Sequence, residues 1–368
     1  MALEIAAGVS LAVWLYLLFA RGGFWRIHES ILPEMAPSPA PPVTAVIPAR
    51  NEAPVIGQAV ASLAKQNYPG TFRVVVVDDE SSDGTADVAR QAAGSIATVI
   101  RAEPLPAGWS GKLWAVSQGI EHAGTPDYLL LTDADIVHPP GEVSALTAQA
   151  RSGGYDMVSL MVALRCHTAA ERALIPAFVF FFFMLYPPAW TRNARRRTAG
   201  AAGGCILIRR ETLERIGGLA QIRGALIDDC ALARAVKESG GCVWLGASTA
   251  AHSIREYRSF GELGRMISRT AFTQLRYSWL WLAGAAAGMV VTYLVPPAAA
   301  LAGSWIGALA WLAVCVAYFP VLRLYRRSPL WAPFLPLIAG FYLGATVHSA
   351  AAYAIGRGGM WKGRVQAR

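Results

Sequence analysis

Apolar positions fall along this chain in two rhythms. In one they form long unbroken runs, at 3–20, 279–295, 298–319 and 331–356; in the other, from 43 to 163, short Val, Ile and Leu runs alternate with amphipathic stretches. The long runs suit helices that cross a bilayer. A helix over the first would rise about 1.5 Å per residue to about 27 Å, close to the hydrocarbon thickness. A cleaved signal peptide is the rival reading, but its charged start and small-residue cleavage site are missing, so a retained anchor over residues 1–22 is expected. Pro296 and Pro297 divide the next two runs and predict a tight helical hairpin there.

The second rhythm predicts strands at "VTAVIP", "RVVVVDD", "ATVIRA", "YLLLTD" and "DMVSLMV", with helices over 54–65, 84–93, 112–122 and 141–151 between them. The strands are continuous apolar runs rather than in-and-out alternations, which implies that helices cover both faces. The expected fold is therefore α/β: a doubly wound, mostly parallel sheet with one N-terminal and about three C-terminal membrane helices. The divisions that follow are an anchor at 1–22, a proline-rich linker at 23–42, a sheet domain at 43–256, an interfacial amphipathic segment at 257–278, spans over 279–356 and a basic tail at 357–368.

Composition strengthens the membrane reading. Hydrophobic residues make up 54% of the chain and charged residues 15%, a balance that points to apolar surface facing lipid. "RLYRRS", between the second and third C-terminal runs, predicts a cytoplasmic loop, as does the basic content from Arg21 to Arg276. A simple last crossing would put Arg357, Lys362, Arg364 and Arg368 outside, whereas Pro333 and Pro336 with Gly340 and Gly344 would suit a broken or re-entrant segment. "LIPAFVFFFFMLYPPAW" at 174–190 is apolar enough to span, yet a crossing there would put the two halves of the sheet domain on opposite sides of the membrane. An interfacial segment is expected instead, with its phenylalanines offered to an apolar acceptor.

The net charge of +9 suits lipid headgroups or a phosphorylated substrate, and no recognisable motif supports nucleic acid. The five cysteines contain no CxxC pair and the six histidines are scattered, so spacing predicts neither a disulfide framework nor a zinc site.

In open α/β sheets, ligands bind beyond the carboxyl ends of the strands, and the polar clusters fall there. "PARNE" ends the first strand, "DDESSDGT" the second and "TDAD" the fourth. Ser82, Asp83 and Gly84 read as turn and cap residues for a helix starting at Thr85. Adjacent Asp78 and Asp79 need another reason, such as a nucleobase or ribose offering donors. Asp133 and Asp135 fit either a capping turn or a pair of oxygen ligands for Mg²⁺ or Mn²⁺, ions that bridge to substrate phosphates. "GWSGK" places Lys112 at a glycine turn opening a helix, suited to an anion but lacking Walker spacing. Asp228 and Asp229 complement the dipole of the helix they start, or supply a general base. No GxGxxG follows the first strand, which argues against nicotinamide chemistry.

In order and spacing, "PARNE", "VVVVDDESSDGT", "GWSGK", "TDAD", "GGCILIRR" and "IDDCALARAVKESG" resemble the family 2 glycosyltransferases of the GT-A fold. The flanking spans, with "IPAFVFFFFMLYPP" and "SRTAFTQLRYS", are most similar to the hopene-associated members linked to bacterial hopanoid synthesis. The resemblance implies an inverting transfer from a nucleotide sugar, a UDP-sugar in the first instance, to a lipid acceptor at the bacterial cytoplasmic membrane. It assigns donor contacts to Pro48, Ala49, Arg50, Glu52 and Asp79, with Lys112 beside them. Asp133 and Asp135 match the DxD that holds metal and diphosphate, Asp135 being the more metal-dependent, and Asp229 matches the catalytic base. Processive members carry QxxRW; here "QLRYSW" has other spacing, which implies a single transfer. A polyprenyl phosphate or ceramide-like acceptor, or a catalytically silent membrane scaffold, are the alternatives.

Overall fold

The computed structural model describes residues 1–30, 32, 33, 37–356, 358–361, 364 and 365. The first residue of "APSPAPP" and the tail residues Arg357, Lys362 and Arg368 lie outside that set. The chain divides into two compact units. One comprises 29–165, 190–255 and the tail from 361; the other comprises 1–28, 166–189 and 256–360.

The first unit is the sheet domain. Its strands are β1 (Val43–Ala49), β2 (Phe72–Asp78), β3 (Ala97–Arg101), β4 (Tyr128–Thr132), β5 (Ile136–Val137), β6 (Met157–Ala163), β7 (Cys205–Arg209) and β8 (Val243–Ser253). Its main helices are α1 (Ala53–Ala64), α2 (Thr85–Ala93), α3 (Gly111–Glu121), α4 (Glu142–Ser152), α5 (Arg210–Arg215) and α6 (Asp228–Glu238). The strand order is β3-β2-β1-β4-β7-β6-β8-β5. Neighbours from β3 to β4 run parallel, as do β6 and β8, while β7 runs antiparallel to both β4 and β6. The sequence pattern did not predict β7, and its insertion keeps β6 from pairing with β4.

The continuous apolar strands are buried on both faces because successive side chains point to opposite sides. Val43, Ala45 and Ile47 of β1 pack with Ile56 and Val60 of α1 and Leu146 of α4, whereas Val46 packs with Leu113 and Val116 of α3 and Leu232 of α6. The α3 contact is so close that a Cβ on Gly119 would lie 2.4 Å from Val46 Cγ1. That approach brings the N-terminus of α3, with Lys112, to the carboxyl end of the sheet.

The second unit is helical. Its long apolar segments are Ala2–Phe19, Ala169–Arg192, Trp279–Leu301, Trp305–Leu324 and Pro329–Ala354, five candidate spans among the described residues by length and composition. Within the unit, Trp14 Nε1 donates to Thr292 O at 2.7 Å and Tyr342 Oη donates to Leu174 O at 2.9 Å. Pro296 and Pro297 do not form the expected hairpin turn. A π-helical stretch, Val290–Leu294, precedes them, Val295 N–H donates to Val290 O, and the helix continues to Leu301. Prolines in the first turn of a helical segment forfeit no hydrogen bond, so the chain reverses only at Gly303, whose φ is 91°. Pro333 lies in a 3₁₀ turn, Pro329–Phe334, and the helix Leu335–Ala354 runs unbroken after it.

The phenylalanine-rich helix Ala169–Leu185 starts with a capping box between Thr168 and Glu171. Phe180 and Phe183 are buried, with Phe180 packed edge-on against Phe24 and Tyr318. They are core residues of the helical unit and cannot all be offered to an acceptor. The helix Phe260–Gln274 buries Leu263 and Ile267 and exposes Arg265 and Arg269, an amphipathic pattern.

Candidate active site

The ends of β1, β2 and β4 form one rim. Asp79 N–H donates to Ala49 O at 2.8 Å, tying the first two strand ends together. Just beyond, Asn51 and Glu80 both adopt positive φ, at 51° and 52°, a conformation that costs free energy and concentrates at functional sites. Asn51 is held there from both sides: its N–H donates to Ser81 Oγ at 2.9 Å, and its Oδ1 accepts Ser82 N–H at 2.9 Å. Gly84 is the N-cap of α2, and Asp83 before it accepts from Thr85 N–H at 3.1 Å, the turn chemistry expected of this stretch.

The acids on this rim do not stand unpaired. Arg50 Nη1 donates to Asp79 O at 2.6 Å and lies 3.5 Å from Asp79 Oδ2. Arg255 Nη2 contacts Glu52 Oε1 at 2.7 Å, and its Nε lies 3.3 Å from Asp135 Oδ2. The Ser253 hydroxyl donates to that same Asp135 oxygen. Lys112 Nζ bridges Asp133 Oδ1 at 2.9 Å and Asp228 Oδ2 at 3.3 Å. The two acids of "TDAD" are therefore held by different cations, Asp133 by the lysine opening α3 and Asp135 by the arginine following β8.

These contacts set the protonation of the group. Burial alone would lower the Lys112 ammonium, but Asp133 and Asp228 reverse this and hold it well above the usual lysine range. Burial raises Asp133, against the pull of Lys112. Asp229 accepts from Gly203 N–H at 2.9 Å through Oδ2 and from Cys230 N–H at 2.7 Å through Oδ1. Burial and then the neighbouring Asp228 push it up to about 6 despite Lys112. Two hydrogen bonds orient the carboxylate while a like charge makes it a better proton acceptor.

Pro48, Lys112, Asp133, Gly203, Asp228 and Asp229 line a cleft that opens to solvent. A Cβ on Gly203 would come 3.3 Å from both Asp229 Oδ2 and Lys112 Nζ, so a larger residue there would press on both side chains. Ala49, Arg50, Glu52, Asp79 and Asp135 lie on the adjoining strand ends rather than in the lining of that cleft. The sequence pattern missed Ser253, Arg255 and Gly203. A signal existed for the first two: "HSIREY" places Ser253 and Arg255 two residues apart at a strand end, and such residues share a face. As a donor set, carboxylate oxygens from "TDAD" fit Mg²⁺ or Mn²⁺ better than a softer ion.

Comparison with known proteins agrees with this geometry. The sequence model of glycosyl transferase family 2 matches residues 44–217. A 4,4'-diaponeurosporenoate glycosyltransferase of Staphylococcus aureus (strain USA300) is 37% identical over 94 residues, 26% of this chain and 24% of that protein. The aligned stretch thus spans about a quarter of that relative's length. Among solved structures, the mannosyltransferase PcManGT from Pyrobaculum calidifontis, in complex with GDP-Man and Mn²⁺, is 20% identical with a TM-score of 0.61, over 94% of this chain and 98% of that chain. Strand order and the likeness to that structure show a GT-A fold, and within it residues 44–217 match the glycosyl transferase family 2 model.

Proposed function

We propose that this chain is a membrane-bound inverting glycosyltransferase that moves one sugar from a nucleoside diphosphate sugar to the hydroxyl of a lipid, with a hopanoid as the acceptor. The observation that carries the reading is the single cleft in which Lys112, Asp133, Asp228 and Asp229 meet beyond the ends of the strands. The five apolar segments support a membrane location and a lipid acceptor. The mannosyltransferase of the same fold was captured with GDP-mannose and Mn²⁺, which supports a nucleotide-sugar donor and a divalent ion.

In this reading Asp79, buried and held by Arg50, faces the nucleobase, and Lys112 meets the diphosphate. Asp133 and Asp135 would hold a divalent ion, Mg²⁺ or Mn²⁺, which when bound would supply positive charge to the leaving diphosphate. Asp229 removes the proton from the acceptor hydroxyl. The oxygen then bonds to the anomeric carbon as the carbon–oxygen bond to the diphosphate breaks, and one displacement inverts the centre. Lys112 pairs with Asp133 and Asp228 and Arg255 with Glu52 and Asp135, one cation for two acids in each case, so the rim keeps an excess of negative charge that a divalent ion would offset.

The test is mass spectrometry of membrane lipids from cells with and without the protein. Loss of a glycosylated hopanoid supports the assignment, whereas a changed polyprenyl or phospholipid pool alone overturns the acceptor.

A further inference from the structure

Behind the "TDAD" turn the chain builds a second cluster that the transfer reaction does not use. His138, the last residue before Pro139 and Pro140, and Glu142, the first residue of α4, meet Cys205, the first residue of β7. They are 3%, 4% and 0% exposed, and one ligand atom from each lies within 4.8 Å of the others. Cys205 arrives because β7 pairs antiparallel with β4, where Thr132 is its register partner.

The hydrogen bonds fix which histidine nitrogen is available. Thr132 Oγ1 donates its one hydrogen to Gly204 O at 2.8 Å and lies 2.9 Å from His138 Nε2. Nε2 must therefore carry a hydrogen and donate, which leaves Nδ1 as the lone-pair nitrogen. That Nδ1 and Glu142 Oε1 are both buried without a hydrogen-bond partner among the described residues. An imidazole and a carboxyl this close would ordinarily bond to each other, since a buried polar atom left unpaired costs about 1–3 kcal/mol. Here they converge on a common space with a thiol beside them.

We propose that His138, Glu142 and Cys205 hold a structural transition-metal ion, Zn²⁺ by its ligand chemistry, distinct from the divalent ion of the rim. One nitrogen, one oxygen and one sulfur donor suit borderline Zn²⁺, which bonds each at about 2.0–2.3 Å, and do not suit Mg²⁺. The Thr132 contact to Nε2 is the outer-shell hydrogen bond that orients a ligating histidine. Burial supplies the thermodynamic reason: it pushes Glu142 up to about 7, with Glu29 adding to the effect, pushes His138 down to about 4, and raises Cys205. A bound cation would supply the counter-charge that lets the buried carboxyl and thiol give up their protons and ligate. The ion would tie the segment after the DxD turn to the start of β7, next to the Gly203 that touches Asp229. Sequence spacing could not show this, because Cys205 is remote from the other two.

The experiment is elemental analysis of the full chain, purified in detergent from zinc-supplemented cells and dialysed against EDTA. One equivalent of Zn²⁺ should remain in the wild type and in Asp135→Ala, and should be lost from His138→Gln and Cys205→Ser. Protein loaded with Co²⁺ during growth should show a thiolate-to-cobalt charge-transfer band that Cys205→Ser lacks. Folded wild type with substoichiometric Zn²⁺ and no such band overturns the proposal, as does full retention of Zn²⁺ in both variants. The wild-type measurements decide the matter even if the variants fail to fold.

Discussion

The segment from Asp133 to Glu142 serves two environments of opposite electrostatics. On the rim, Asp133 and Asp135 stand beside fixed cations, Lys112 at 2.9 Å and Arg255 at 3.3 Å. Inside the sheet domain, His138 and Glu142 meet Cys205 with no oppositely charged partner among the described residues, and burial drives all three toward their neutral forms. The acids on the rim are given counter-ions, because a buried charge without them would neutralise. Polar groups deprived of such partners must either stay neutral and unpaired or acquire a cation.

The largest effect should come from removing the group that takes the proton. Asp229→Asn keeps the shape and loses the base, so kcat should fall about 10³-fold while donor binding persists, a split that single-turnover kinetics and donor titration would resolve. If both fall together, Asp229 holds the donor instead. Asp135→Ala should reduce transfer by about a thousandfold by weakening metal and diphosphate binding. Circular dichroism of that variant should be unchanged. Equal activity in metal-free buffer and in Mn²⁺ would break the rim half of the comparison.

A smaller effect tests the cations themselves. Arg255→Gln leaves Asp135 and Glu52, 7% and 6% exposed, without their counter-charge. Breaking a buried pair costs about 3–5 kcal/mol, but the arginine side chain is 29% exposed, so solvent screening reduces the expected loss to about 2 kcal/mol. Thermal unfolding should show that loss, and Mn²⁺ should restore more stability to the variant than it adds to the wild type. The smallest effect is a shift in pH dependence. Asp229 must be deprotonated to act, so kcat/KM should decline as pH falls through about 6. Asp228→Asn removes the like charge that helps raise it, so that acidic limb should move to lower pH. A limb that stays in place would mean that another group sets it.

Much of this was legible in the sequence because it depends on local causes. Runs such as "VVVVDD" and "YLLLTD" state both a buried strand and its polar end, and parallel strands place those ends on one side. Arg50, Asp79 and Asp133 could thus be placed on one rim before any coordinates, with Lys112 beside them, while Asp229, on a helix, joined them through the family resemblance. What stayed hidden depends on pairing between distant segments. The antiparallel insertion of β7 brings Cys205 opposite Thr132, and β8 returns Ser253 and Arg255 to Asp135. The prolines at 296 and 297 misled for another reason: as first-turn residues they extend a helix that they would break if placed in its interior.

The proposed transfer of a sugar to lipid turns on Asp229 taking the acceptor's proton in the cleft it shares with Lys112 and Asp133. It is tested most directly by incubating detergent-purified protein with a radiolabelled UDP-sugar, Mn²⁺ and a hopanoid-containing lipid extract, then counting label in the organic phase. GDP-sugar serves as the parallel donor. The account predicts organic-phase label with wild type, inverted at the anomeric carbon, and about a thousandth of it with Asp229→Asn. Label released only into water, or lipid labelling undiminished in Asp229→Asn, would contradict it.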